Sequence, residues 1–514
     1  MTSAPCSKST LSSFVNLATR AIIRAANRAA GLLFFWTLIS PGVCQMGLIP
    51  PVDVAPRIKE LEQAGQFQAA AREITIALKS VQPDSPEAYR LRYELDRLNR
   101  IRLDFNLTRD DILSALRQEI PDVTPADLDR WEQDGTLEMR LIEGEKRYFN
   151  RAIRNLFRLN SEARERRGPT PTPAPGTRDT QRELFDHMAR VARAAKSGSS
   201  PYVLPERFHV AMTIEVNADT VPSTATLRCW MPLPRECELN RDITILNSDP
   251  PIVKIAPPDH PQRSVYFEQP ARAGRPTRFH LEYEFTAVAF WREIDPAAVK
   301  PYDTNSPLYR TWTAERPLHL SFTPGMRRLA AEIVGDETNP YLKAQKIFTW
   351  INDNIRYTSA LEYSTIMNLS EYCAENRRGD CGIQSLLFIV LCRISGIPAR
   401  WESGWYCQPG RTNMHDWAQF YIEPYGWLWA DPSRGFLPDN APQDLKMFYF
   451  GNVDGYRLAA NQDYSVVFDP PKRHFRSEPV DFQRGEVEWE GGNLYFDQWD
   501  YEMKITPVRS SQTD

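Results

Sequence analysis

The chain has no paired cysteine ligands and no closely spaced histidines. Its eight cysteines, at 6, 44, 229, 237, 373, 381, 392 and 407, contain no C-x-x-C, and its seven histidines form no H-x-x-x-H or H-E-x-x-H. A zinc ribbon needs the first pattern and a zincin the second, so neither is expected. Gly-rich phosphate loops and Asp/Glu-rich loops with calcium-site spacing are also missing, so no metal and no organic cofactor is implied. Lys and Arg number 62 against 66 Asp and Glu, a formal net charge of −4. With no domain-scale basic excess, nucleic acid is not expected as a partner.

What is present is an ordinary globular composition, 42% hydrophobic and 25% charged over 514 residues. On a prior of ~150 residues per domain, that length suggests three or four domains. Prolines number 41, which implies many loops and turns.

Residues 1–46 read as a targeting segment. Arg20, Arg24 and Arg28 precede the apolar run Gly31–Ile39, and Ser40-Pro41-Gly42-Val43-Cys44 follows. The run is well below the ~20 residues that span a bilayer as a helix, so a cleaved secretory signal is expected rather than an anchor. Export to the periplasm, cell surface or medium follows, with membrane association only if the segment stays uncleaved. Val43 stands where a lipoprotein signal wants a small residue, so acylation of Cys44 is not expected.

The rest divides by periodicity. Residues 47–166 read as helical, with Ile58, Leu61, Phe67, Ala70, Ile74 and Leu78 at helix spacing and capping boxes at Thr108–Asp111 and Thr124–Asp127. Leu141, Tyr148, Phe149, Ala152 and Leu156 read as a further apolar helix face, with Arg147, Arg151, Arg154 and Arg158 as its solvated side. Residues 167–201 are a Pro-rich linker, Gly168–Gly176, followed by a connecting helix from Arg178 to Lys196. Residues 202–300 alternate, as in Phe208, Val210, Met212, Ile214 and Phe279, Leu281, Tyr283, Phe285, which predicts a β-sandwich. A core follows at 301–436 and a β-rich extension packed on it at 437–514. The extension includes a hairpin at Trp489–Phe496, and Phe448, Tyr449, Phe450, Tyr456 and Trp499 read as core aromatics. The fold class is therefore multidomain α+β.

Gly379-Asp380-Cys381-Gly382 places a lone thiol where an apolar helix begins, and Gly396 is its expected C-cap. Unpaired amides and the dipole at that end favour a thiolate. Downstream, His415–Ile422, the turn Glu423-Pro424-Tyr425-Gly426 and Trp427–Asp431 read as a β-hairpin that brings His415 near Asp431. Thiol, imidazole and carboxylate together could supply nucleophile, general base and orienter. Beside the imidazole, Asp416 either competes for it or faces solvent. Cys229 with Cys237, or Cys373 with Cys381, could pair in an oxidising compartment, but spacing does not fix connectivity.

The order Ala344–Ile351, Ile355-Arg356-Tyr357, Gly-Asp-Cys-Gly, Gly396-Ile397-Pro398-Ala399-Arg400, His415-x-Trp417 and Trp427-x-x-x-Asp431-Pro432 resembles the transglutaminase-like superfamily of papain-related cysteine enzymes. The resemblance implies that Cys381, His415 and Asp431 form a catalytic triad on a papain-like α+β core. An Ig-like domain ahead of that core, as many such proteins carry, agrees with the sandwich reading of 202–300.

The implied chemistry is acyl transfer from an amide through a thioester. The backbone N–H of Cys381 is one oxyanion donor, and Asn376, Tyr357 and Trp350 are unranked candidates for a second. The expected activity is an exported peptidase or amidase acting on peptides or proteins, including cell-wall peptide. The alternatives are a protein-glutamine crosslinking transferase and a noncatalytic binding or scaffolding protein that keeps the fold.

Overall fold

The structure is a computed structural model and describes residues 56–168 and 179–508. The targeting segment, Cys6, Cys44 and most of the Pro-rich linker lie outside the described residues.

The helical region starts as its pattern predicts. Helices cover Pro56–Gln63, Phe67–Ser80, Pro86–Asp104, Arg109–Glu119 and Pro125–Gln133. Thr108 and Thr124 cap the last two through reciprocal bonds with Asp111 and Asp127. The next segment departs from expectation. Met139–Ile142 and Glu145–Tyr148 form an antiparallel hairpin, and helix resumes only at Ala152–Leu159 and Ser161–Arg167. Glu143 and Gly144 carry φ of 53° and 78°, the doubly left-handed turn that joins two strands across a two-residue loop. Apolar residues at 141, 148 and 149 suit either period, and Gly144 was the signal for the turn.

The connecting helix spans Thr180–Ser197, and two facing sheets follow. One runs in the order Trp499–Pro507, Tyr202–Val216, Thr277–Phe290, Asn240–Asp249. The other runs Gly492–Leu494, Glu486–Trp489, Thr226–Pro232, Ser264–Pro270, Lys254–Ile255. Phe267 of the second sheet meets Phe279 of the first, with ring centroids 6.2 Å apart. Three of these nine strands come from beyond residue 485, so the sandwich is not confined to 202–300. Tyr501, Met503 and Ile505 pair opposite Ile214, Met212 and Val210, so part of the extension expected to pack on the core at 437–514 joins the sandwich instead.

In the core, Cys381–Ile394 is a helix buried from Cys381 through Arg393. It lies against a five-stranded antiparallel sheet ordered Phe450–Gly451, Gly426–Ala430, Arg411–Ile422, Ala399–Gln408, Arg457–Asn461. Phe388 of the helix packs edge-on to Phe420 at 5.8 Å, and Phe420 stacks on Phe450 at 5.1 Å. Burial of a whole helix circumference explains the apolar run from Leu386 to Cys392, since no face meets water.

Arg100 fastens the helical region to this body. Its side chain is fully buried and donates to Ser364 Oγ at 3.0 Å, Ser477 O at 3.1 Å and Arg476 O at 2.9 Å, and it pairs with Asp96. Arg100→Ala leaves these acceptors buried without a donor. It is expected to cost about 3–5 kcal/mol, read as a lower midpoint of urea unfolding.

Candidate active site

Cys381 is the first residue of its helix, and Asp380 caps it by accepting from Ile383 N at 3.1 Å. Tyr363 donates its hydroxyl to the same Asp380 oxygen at 2.7 Å. Gly382 is small for a reason: a Cβ there would stand 2.2 Å from the Tyr363 hydroxyl and 2.8 Å from Asp416 Oδ2. Just before the helix, Arg378–Gly379 pairs in parallel with Arg356–Tyr357, which sets Tyr357 opposite Gly379 and close to the sulfur.

His415 sits on the strand Arg411–Ile422, opposite Gly404. Only glycine fits at 404, because a Cβ would lie 1.9 Å from the Leu458 carbonyl oxygen of the next strand. Asp431 directly follows the last pair of the neighbouring ladder, Ala418 with Ala430. The hairpin therefore brings ring and carboxylate together, with His415 Nε2 and Asp431 Oδ2 2.6 Å apart.

A residue without a sequence signal completes that pair. Arg457 Nη2, fully buried, donates to Asp431 Oδ2 at 3.0 Å, and Arg434 N donates to Oδ1 at 3.3 Å. Burial pushes the Asp431 carboxyl up, but His415, Arg457 and Arg434 outweigh it and hold the group well below the usual carboxylate range. For His415, burial outweighs the attraction of Asp431 and lowers the imidazole pKa. A neutral ring facing an ionised carboxylate keeps its proton on Nε2 and leaves Nδ1 bare.

The sulfur departs from expectation in two ways. Among the described residues no hydrogen bond joins Cys381 to His415, and the thiol instead donates to Asp416 Oδ2 at 3.3 Å. Its pKa is also raised rather than lowered, by burial first and then by Asp416 and Asp380. A helix end contributes about half a unit charge, which a site 7% exposed beside two carboxyl groups outweighs. Asp416 neither competes for the imidazole nor faces solvent. It is buried and takes Gln483 Nε2 on Oδ1 at 2.7 Å, and Gln483 also donates to the His415 carbonyl at 3.0 Å. Burial, Asp481 and Asp380 raise the Asp416 pKa. All six described cysteines are free thiols, Cys373 and Cys381 included.

Cys381, His415, Asp416 and Tyr357 open on one cavity of about 670 Å³. This ranks the oxyanion candidates. Asn376 is exposed and its amide is committed to the Tyr372 carbonyl at 2.9 Å, and Trp350 lies under Arg377 and outside the cavity lining. Tyr357 lines the cavity, and the adjacent Cys381 sulfur raises its pKa, which keeps the hydroxyl a donor.

Asp416→Asn tests the resting arrangement. Gln483 requires an acceptor from residue 416, so the asparagine amide nitrogen turns to the sulfur and stabilises a thiolate there. The pH midpoint of iodoacetamide labelling at Cys381 is expected to fall by about 1–2. A midpoint that stays or rises would contradict the account of the thiol.

Residues 327–432 match the model of the transglutaminase-like superfamily core. Over 130 residues, 22% of this chain, the sequence is 28% identical to YebA, an uncharacterized protein of Bacillus subtilis (strain 168). The match covers 18% of YebA, so the chain spans under a fifth of that relative. Among solved structures, a protein of Cytophaga hutchinsonii described as a candidate cysteine protease aligns over 61% of this chain and 94% of its own, at 16% identity and TM-score 0.39. The periplasmic domain of TgpA from Pseudomonas aeruginosa aligns over 50% and 94%, at 16% identity and TM-score 0.26. The stretch from 327 to 432, which holds the thiol, the imidazole and the carboxylate, is a domain of the transglutaminase-like superfamily.

Proposed function

We propose that the chain is an exported thiol hydrolase, a peptidase or amidase that cleaves peptide amide bonds through a Cys381 thioester. The observation that carries this is His415, held through Nε2 by Asp431 at 2.6 Å with Nδ1 free, on the cavity that also receives the sulfur. Substrate entering the cavity displaces the thiol from Asp416, His415 Nδ1 takes its proton, and the thiolate attacks the amide carbonyl. The Cys381 N–H and the Tyr357 hydroxyl donate to the oxyanion, and His415 returns the proton to the departing amine. Water then attacks the thioester with His415 as base, releasing the acid and the thiol. Hydrolysis is favoured over transfer because a 670 Å³ cavity lined by charged side chains is roomy and polar enough to hold water.

One observation favours a noncatalytic reading: the resting thiol is protonated and bonded to Asp416 rather than His415. A glutamine peptide incubated with and without a lysine-like amine, read by mass spectrometry, separates the outcomes. Conversion to the acid, unaffected by the amine, is the expected result. An amine adduct indicates a crosslinking transferase, and a peptide left unchanged under both conditions supports a scaffold.

A further inference from the structure

The arginines expected to be a solvated helix face do not all face bulk water. Arg147 pairs with Glu145 at 2.5 Å, but Arg151, Arg154 and Arg158 line the cavity of Cys381, carried there by the helix Ala152–Leu159 and the residue before it. None of these three side chains forms a hydrogen bond or ion pair with a described residue. Arg158 lies over the Tyr357 ring at 4.9 Å with its Nη1 buried and without an acceptor, and Tyr357 is the cavity residue beside the sulfur.

The acids of the same cavity form no salt bridge with them, and only Asp380 feels Arg151, at longer range. Glu362 and Glu478 are engaged by Arg484 at 3.4 and 2.5 Å, Asp380 by Tyr363 at 2.7 Å, and Asp416 by Gln483 and the thiol. Asp481 is pushed up by burial and then by Glu478, towards its neutral form. Three guanidinium groups therefore line one cavity with no hydrogen-bond partner among the described residues, the arrangement that takes a carboxylate through charge-assisted, often bidentate hydrogen bonds.

We propose that Arg151, Arg154 and Arg158 form a carboxylate-binding subsite, so that the favoured amide substrate carries a carboxylate near the bond that is cut, as an acidic peptide does. The inference rests on Cys381 being the nucleophile. It makes the N-terminal helical region part of substrate selection, beyond a spacer role.

Two alkylating probes test it, iodoacetylglycine and iodoacetylglycinamide, which share a warhead and differ in a distal carboxylate. At low salt the acid is expected to label Cys381 roughly 5-fold faster than the amide, and the ratio to fall towards one at high salt. Arg151→Ala/Arg154→Ala, at two exposed positions, is expected to collapse the ratio, and Arg154→Lys to retain most of it. A wild-type ratio of one, or a ratio untouched by the double substitution, overturns the proposal. A second arm does not depend on thiol reactivity: Cys381→Ser protein is titrated with acetylglycine and with acetylglycinamide. Preferential binding of the acid, lost in the double arginine variant, supports the subsite even if no probe labels Cys381, and equal binding refutes it.

Discussion

Cys381→Ala is expected to reduce amide turnover to background, a loss of at least about 10⁴-fold, with substrate binding retained. The substitution removes the sulfur and little else. Cys381 donates one hydrogen bond, to Asp416, whose Gln483 partner remains, and the cap formed by Asp380 and Ile383 N does not involve the sulfur. The variant should therefore fold, and unchanged melting beside lost turnover is the combination that marks a nucleophile. The pH profile of wild-type turnover gives a second check. Burial, Asp416 and Asp380 raise the free thiol, so it ionises only above the ordinary cysteine range. The uncatalysed labelling limb therefore lies at high pH, whereas turnover, in which His415 takes the proton directly, should begin at lower pH.

Asp431→Asn is expected to lower kcat by about 10³–10⁴-fold. The carboxylate accepts on both oxygens: Oδ2 takes His415 Nε2 and Arg457 Nη2, and Oδ1 takes Ser433 Oγ and Arg434 N. A carboxamide cannot do the same. Turned one way it sets its NH₂ against Arg457 and the ring, and turned the other it sets NH₂ against the Arg434 N–H. Either way the charge that stabilises an imidazolium is gone while buried Arg457 remains. The His415 pKa should fall further, and a proton resonance of the ring that moves to lower pH would show it. A loss below 10-fold would mean that the ring is oriented by something else.

Local pattern made the thiol and the imidazole legible, and distance along the chain hid what tunes them. The helix Cys381–Ile394 announces itself by an apolar run closed at Gly396, which does adopt φ of 78°. The His415–Asp431 hairpin announces itself by aromatic strands around Glu423–Gly426, and the observed ladder runs from Ile422 with Gly426 to Ala418 with Ala430. Arg457 and Gln483 reach the site from 26 and 67 residues away, and no period or spacing reports such contacts. Asp416 adjoins His415 in sequence, yet it takes the thiol of Cys381 rather than the ring. Hydrophobic patterning could say that Arg151, Arg154 and Arg158 avoid the helix core. It could not say that their polar face meets a cavity supplied by residues 357–484. The same limit explains the sandwich, whose closing strands from 486 onward carry the right alternation but no mark of which sheet they join.

Acid quenching during turnover of a peptide amide, followed by intact-mass analysis and peptide mapping, tests the central claim most directly. The account predicts an added mass equal to the acyl fragment, located on Cys381 and released by hydroxylamine. Turnover that proceeds with no adduct on Cys381, and that persists in Cys381→Ala, would contradict it.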